Sequence, residues 1–213
     1  MKIIYSGGFD KYKKESVNNS IFYRYAEVIN QQIEKGKVVA SVNFAKPDYY
    51  YDSRLDEVFG GRVITIDNRN KETINWEQYD IILIPEGNQK MLKKGLLKTG
   101  FSIDRLKNEV IIIGDSAGAY VMGKYFPAYD GEVENIDERN IQKYVEDGLY
   151  PKSNALVIAH INNKRYVPDT ALELANRLAK ELNVELVALK ENEEKLLDEN
   201  GKFINFRIEE LFS

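Results

Sequence analysis

The segment Gly114-Asp115-Ser116-Ala117-Gly118-Ala119 has the residue types and spacing for covalent chemistry at a hydroxyl. It follows an apolar run at 109–113 and precedes a helix-forming stretch at 117–122. That is the strand–turn–helix setting a G-x-S-x-G nucleophile turn requires. A chain that reverses within a few atoms forces the serine into a strained backbone conformation. Glycines at 114 and 118 remove clashes where strand and helix approach. Ser116 is therefore expected at the carboxyl end of a strand and the amino end of a helix. Open parallel sheets bind ligands at such ends. Free helix amides there stabilise developing negative charge. The competing reading of the same residues is an ordinary tight turn in which Ser116 caps the helix.

A serine hydroxyl is a poor nucleophile without a base to take its proton. The chain has one histidine, His160, so the base is His160 or there is none. It follows the apolar run Leu156-Val157-Ile158-Ala159, which places it at a strand end expected to neighbour that of Ser116. A lone histidine can equally be structural. The imidazole needs a carboxylate to orient it. Between Ser116 and His160 stand Asp130, Glu132 and Glu134; Asp130 is the first choice and Glu132 the next, and each is also readable as loop charge. An oxyanion hole needs two backbone N–H groups. Ala117, after the nucleophile, supplies one. Gly87, in the turn after the apolar run 79–85, supplies the other, because glycine lets backbone approach a ligand closely. Asn88 beside it is assigned to substrate binding, with helix capping as its alternative role.

Composition removes whole reaction classes. No cysteine is present, which excludes disulfides, thiolate zinc sites and a cysteine nucleophile. One histidine excludes a zinc site built on two or three. No metal or organic cofactor is expected. Of the 213 residues, 43% are hydrophobic and 30% charged, the balance of a globular chain long enough for one well-buried domain. The net charge of −4 gives no general attraction to nucleic acid or anionic membrane. The lysines at 11–14 and 93–94 read as solvated surface. No apolar run approaches the ~18 residues of a membrane helix. Met1-Lys2-Ile3-Ile4-Tyr5 reads as a first strand rather than a signal peptide, so the expected location is the cytoplasm.

The elements that must position these residues alternate. Strands are expected at 2–5, 37–44, 62–66, 79–85, 109–113, 154–158 and 184–189. Helices are expected from Asn18 or Asn19 to about Glu34, in the second half of 47–59, at 89–97, from 117 to about 124, and at 168–182, where Leu172, Ala175, Leu178 and Leu182 share a face. Residues 125–150 read as loops with a helix near 141–146, and 194–206 as a hairpin turning at Glu199-Asn200-Gly201. Continuous apolar runs suit strands covered on both faces, and intervening helices suit parallel crossovers. The expected fold is a single α/β domain over 1–213, a doubly wound, mostly parallel sheet with helices on both faces.

The hexapeptide at 114–119, preceded by Pro85-Glu86-Gly87-Asn88-Gln89 and followed by Gly148-Leu149 and His160, resembles the serine-peptidase family of aspartyl dipeptidase (peptidase E) and cyanophycinase. The resemblance runs from Ser6-Gly7-Gly8-Phe9 to Val187-Ala188-Leu189. It implies a class I glutamine-amidotransferase-like fold and a triad of Ser116, His160 and an intervening carboxylate. It also implies an oxyanion hole at Gly87 and Ala117, and hydrolysis of a small peptide substrate after an N-terminal aspartate. Homodimer formation is left open. The chain departs from that family at Glu86 and Gln89, where a glycine run and a threonine are usual, and at Ile161. Glu86 disfavours an acidic substrate unless a cation compensates. Two other readings are a hydrolase of another small amide or ester, and a non-catalytic relative that binds a small molecule. Thiolate enzymes of the same fold are excluded by the cysteine count.

Overall fold

In the computed structural model, which describes residues 1–10, 12, 20–70, 73–129 and 137–212, the apolar runs become the centre of a seven-stranded sheet. Its strands are β1 (Lys2–Ser6), β2 (Val39–Val42), β3 (Ile64–Ile66), β4 (Ile81–Ile84) and β5 (Ile111–Asp115), joined by the later hairpin β10 (Glu194–Leu197) and β11 (Phe203–Ile204). The spatial order is β11-β10-β1-β5-β4-β2-β3. The five early strands pair in parallel, and the hairpin adds to β1 antiparallel.

Alternate side chains of each strand serve opposite faces, as the two-residue strand period dictates. Ile4, Ile81, Leu83, Ile111 and Ile113 pack with Ile21, Phe22, Ile29, Leu55 and Phe59. These come from α1 (Ile21–Arg24), α2 (Ala26–Glu34) and α3 (Asp52–Phe59). Ile3, Tyr5, Ile82, Ile84 and Ile112 face the other side, against α4 (Gln89–Lys98) and α5 (Ala117–Val121). Both faces being covered explains why the strands are apolar throughout rather than alternating.

The second half differs from the expectation of one sheet. A separate four-stranded sheet has the order β7-β6-β8-β9, from β6 (Tyr125–Pro127), β7 (Val145–Asp147), β8 (Ala155–Ile158) and β9 (Glu185–Ala188). One face, with Leu156 and Ile158, packs on α6 (Asp169–Glu181) through Ala171, Leu174, Ala175 and Leu178. The other face, with Ala155 and Val157, joins the core that contains α5. β8 is therefore no neighbour of β5; the short α5 lies between the two sheets. Among the described residues of 125–150 stand β6, β7 and, near the expected helix at 141–146, a 3-10 stretch, Glu138–Tyr144, in place of an α-helix.

The expected first long helix is broken at Tyr25 into α1 and α2, and the proposed caps Asn18 and Asn19 lie outside the described residues. Among the described residues no helix is long and apolar enough to cross a membrane.

Candidate active site

β5 runs two residues further than the apolar run alone suggests, through Gly114 to Asp115, and α5 begins at Ala117. Ser116 is the single residue between them. It has φ 50° and ψ −103°, a left-handed conformation that costs a non-glycine residue roughly 1–3 kcal/mol. Surrounding contacts hold it there. Its N–H donates to Ser6 O at 3.0 Å, and its carbonyl accepts from Tyr120 N–H at 2.9 Å. The approach of α5 to β4 is so close that a Cβ on Gly118 would lie 2.0 Å from Ile84 O. Only glycine fits, which ties the last residue of the Gly-x-Ser-x-Gly pattern directly to this turn.

His160 comes to Ser116 from the second sheet. It sits just beyond β8, also at positive φ (60°), with its N–H donating to Gly7 O at 3.2 Å. Its Nε2 lies 2.9 Å from Ser116 Oγ. Its Nδ1 lies 3.1 Å from Oε1 of Glu191, in the turn after β9. An ionised carboxylate only accepts hydrogen bonds, so Nδ1 carries the proton and neutral Nε2 accepts from the serine hydroxyl. Glu191 is itself fixed: Asn163 Nδ2 donates to Oε1 at 2.8 Å, and its N–H donates to Asn162 Oδ1 at 2.7 Å. The two sheets are stitched beside it by Asn192 N–H to Gly8 O and Gly7 N–H to Glu193 O, both 2.9 Å. Gly8 packs under the pair, since a Cβ there would lie 2.5 Å from the imidazole and 3.1 Å from Ser116 Cβ.

Burial lowers the His160 pKa below the ordinary histidine value; Glu191, through its hydrogen bond and charge, and then Glu86 and Asp10 oppose this. The net effect keeps the imidazole neutral and able to accept a proton near pH 7. The Tyr166 ring lies 4.6 Å from the imidazole, centroid to centroid, and lines the same cavity.

Below the turn lies a polar network. Asp115 is fully buried and accepts from Ser6 Oγ at 2.5 Å. Arg24 Nη2 donates to Ser6 Oγ at 2.7 Å and pairs with Glu194 at 2.8 Å. Burial pushes the Asp115 pKa up to about 7, with Arg24 and Ser6 acting against it and Glu86 and Glu194 with it.

Ser116 and His160 open onto a cavity of about 460 Å³ whose walls include Glu86, Gly87, Asn88, Lys46, Arg165 and Tyr166. Its size is within the range of small-molecule sites. A cavity of about 450 Å³ lies at the opposite, amino ends of the strands, beside Lys2, Asp80 and Asn108, away from any nucleophile–base pair. Gly87, with φ 145°, faces the same cavity as Ser116. Ala117 opens α5, where its N–H has no intrahelical acceptor. Asn88 lines the cavity but also caps α4, with Oδ1 accepting from Met91 N–H at 2.9 Å.

Asp130, Glu132 and Glu134 lie outside the described residues. The carboxylate on Nδ1 is Glu191, which follows His160 in the chain instead of preceding it. Sequence reasoning passed over it because Lys190-Glu191-Asn192-Glu193 reads as a solvated turn. Its one sequence signal is position: the turn follows an apolar strand that pairs with β8, so it comes to the same end as His160. Among the described residues no cluster of His, Cys, Asp or Glu is placed to hold a metal ion. Fold and site together define an α/β protein with a Ser–His–Glu hydrogen-bonded chain at the junction of two sheets. No family model matches the chain, and no curated protein is significantly similar to it.

Proposed function

We propose that this chain is a serine hydrolase of small peptides, with Ser116 as nucleophile, His160 as general base and Glu191 as the acid that orients it. The observation that carries this reading is the 2.9 Å contact between Ser116 Oγ and His160 Nε2, made by a serine held at φ 50° over a cavity. A helix cap would need neither the strained backbone nor an aligned imidazole with a carboxylate behind it. The resemblance to the peptidase E and cyanophycinase family, and to the class I glutamine-amidotransferase-like fold, belongs to this proposal. An aspartyl-dipeptidase-like exopeptidase is its narrower form. Lys46 and Arg165 on the cavity wall are the cations that an acidic side chain would need.

In this mechanism His160 Nε2 takes the Ser116 proton as Oγ attacks the peptide carbonyl carbon. The oxyanion is received by the N–H groups of Ala117 and Gly87, aided by the amino end of α5. Imidazolium formed at His160 is stabilised by the Glu191 carboxylate. Nε2–H then protonates the leaving amine. Water, deprotonated by His160, releases the acyl group and regenerates the hydroxyl.

The test is a panel of dipeptides, longer peptides and small esters incubated with wild type and Ser116→Ala, with products identified by mass spectrometry. Cleavage of short peptides that falls about 10⁴-fold or more in the variant supports the reading. Turnover of esters alone would move it to an esterase, and turnover unchanged in Ser116→Ala would end it.

A further inference from the structure

The turn after β1, Ser6-Gly7-Gly8, reaches the turns that carry all three members of the Ser–His–Glu chain. Ser6 O accepts from Ser116 N–H at 3.0 Å, and Gly7 O accepts from His160 N–H at 3.2 Å. Gly8 O accepts at 2.9 Å from the N–H of Asn192, one residue past Glu191. The fit is close, since a Cβ on Gly7 would lie 1.9 Å from the carbonyl oxygen of Lys190, one residue before Glu191. One hydroxyl ties this turn down. Ser6 Oγ donates to Asp115 at 2.5 Å and accepts from Arg24 Nη2 at 2.7 Å and from Gly8 N–H at 3.3 Å. Its one proton and two lone pairs are then fully used. The pairing of β1 with β5 and β10 sets Ser6 between Asp115 and Glu194, and Arg24, the last residue of α1, reaches Glu194 at 2.8 Å as well. Ser6 and Asp115 are fully buried, and Asp115 Oδ2 has no hydrogen-bond partner among the described residues. Without the hydroxyl, Asp115 loses a donor, and Arg24 and the Gly8 N–H lose an acceptor, each away from bulk water. Such groups recover partners by moving, and the backbone of the turn moves with them.

We propose that Ser6 is a positioning residue for the nucleophile and its base. The proposal rests on the hydrolase reading for what that positioning serves. Ser6 is buried and does not line the cavity, so it acts through others. Its hydroxyl fixes the Ser6–Gly8 turn, and the carbonyls of that turn hold the backbone of Ser116 at φ 50° and of His160 at φ 60°. Both conformations are disfavoured for a residue other than glycine and persist only where surrounding contacts enforce them. The 2.9 Å approach of Ser116 Oγ to His160 Nε2 joins the first sheet to the second, so a shift of the turn that holds both changes it directly.

The test uses the fact that the chain has one histidine, whose imidazole titration is read by NMR without a competing signal. In Ser6→Ala the ring becomes more open to water. Its midpoint, depressed by burial in wild type, should rise toward the ordinary histidine value, a change in the acid dissociation constant of about threefold or more. Labelling of Ser116 by a fluorophosphonate should slow by about 10²-fold. Thr99→Ala controls for lost stability alone. It removes another buried hydroxyl, which donates to the Gly95 and Leu96 carbonyls at the opposite end of α4 from Gly87, and should change neither readout. If thermal melting shows Ser6→Ala to be unfolded, Ser6→Cys takes its place, with similar shape and weaker hydrogen bonding. The proposal is overturned if the folded variant keeps the wild-type midpoint, if it labels at the wild-type rate, or if Thr99→Ala moves the midpoint as far. Should wild type itself fail to label, the hydrolase reading falls, and the titration alone decides whether Ser6 places His160.

Discussion

Oε1 of Glu191 lies 3.1 Å from Nδ1 of His160, from a turn 31 residues further along the chain and at the end of the adjacent strand of the second sheet. That contact and the 2.9 Å contact from Nε2 to Ser116 align three side chains from two sheets. Glu191→Gln keeps the shape but can present an amide N–H to Nδ1, favouring the wrong tautomer. Reaction of Ser116 with a fluorophosphonate should slow by about 10²–10⁴-fold. Asp130→Asn should leave the rate unchanged. The reverse pattern would return the orienting role to the segment between Ser116 and His160.

A second prediction concerns pH. His160 works as a base only when neutral, and burial depresses its pKa despite the opposing effect of Glu191. The labelling rate should therefore rise with pH through a midpoint below the ordinary histidine value. Glu191→Gln removes a contribution that holds the proton, so its midpoint should lie lower still. A wild-type midpoint above the ordinary value would show that the carboxylates outweigh burial.

Gly8→Ala tests the packing beneath the pair. The added methyl would lie 2.5 Å from the imidazole, at a residue whose φ is 77°. The ring must shift, and a displacement of this order at a reacting group costs about 10²-fold in rate. Labelling kinetics compared with the melting temperature would separate this local effect from unfolding. Wild-type labelling in a folded variant would mean that His160 has another productive position.

Asp115 links the site to stability. Its folded pKa, about 7 and raised chiefly by burial, exceeds the ~3.9 of an unfolded aspartate. The unfolded state therefore releases this proton first as pH rises. The stability associated with the protonated carboxyl is fully present below about pH 4 and lost progressively as pH rises towards 7. Asp115→Asn mimics the neutral form. In urea melts its stability relative to wild type should grow between about pH 4 and 7 and then level off. A pH-independent difference would mean that Arg24 and Ser6 keep Asp115 ionised throughout.

Much of this arrangement is legible in the sequence because it is local. The turn at 114–118 needs small residues at fixed offsets, and the runs 79–85 and 109–113 must be buried on both faces. A single histidine leaves one candidate base. Glu191 is not legible in the same way. Its role depends on β8 and β9 pairing in a sheet separate from β5, and nothing local distinguishes it from Glu193 two residues on. β6 and β7 are illegible for a related reason: three residues each, among charged neighbours, carry too short an alternation to read. The place of Ser6 and Arg24 under the turn is likewise a product of strand pairing, since β1 and β5 bring Ser6 opposite Asp115.

The most direct test of the central claim is the reaction of a fluorophosphonate probe with wild type, Ser116→Ala and His160→Ala, read by intact mass and peptide mapping. The account predicts a single adduct on Ser116 in wild type, none in Ser116→Ala, and a rate reduced by about 10²-fold or more in His160→Ala. Absence of an adduct from folded wild-type protein, or equal labelling in His160→Ala, would contradict it and leave a binding protein that keeps the turn without the chemistry.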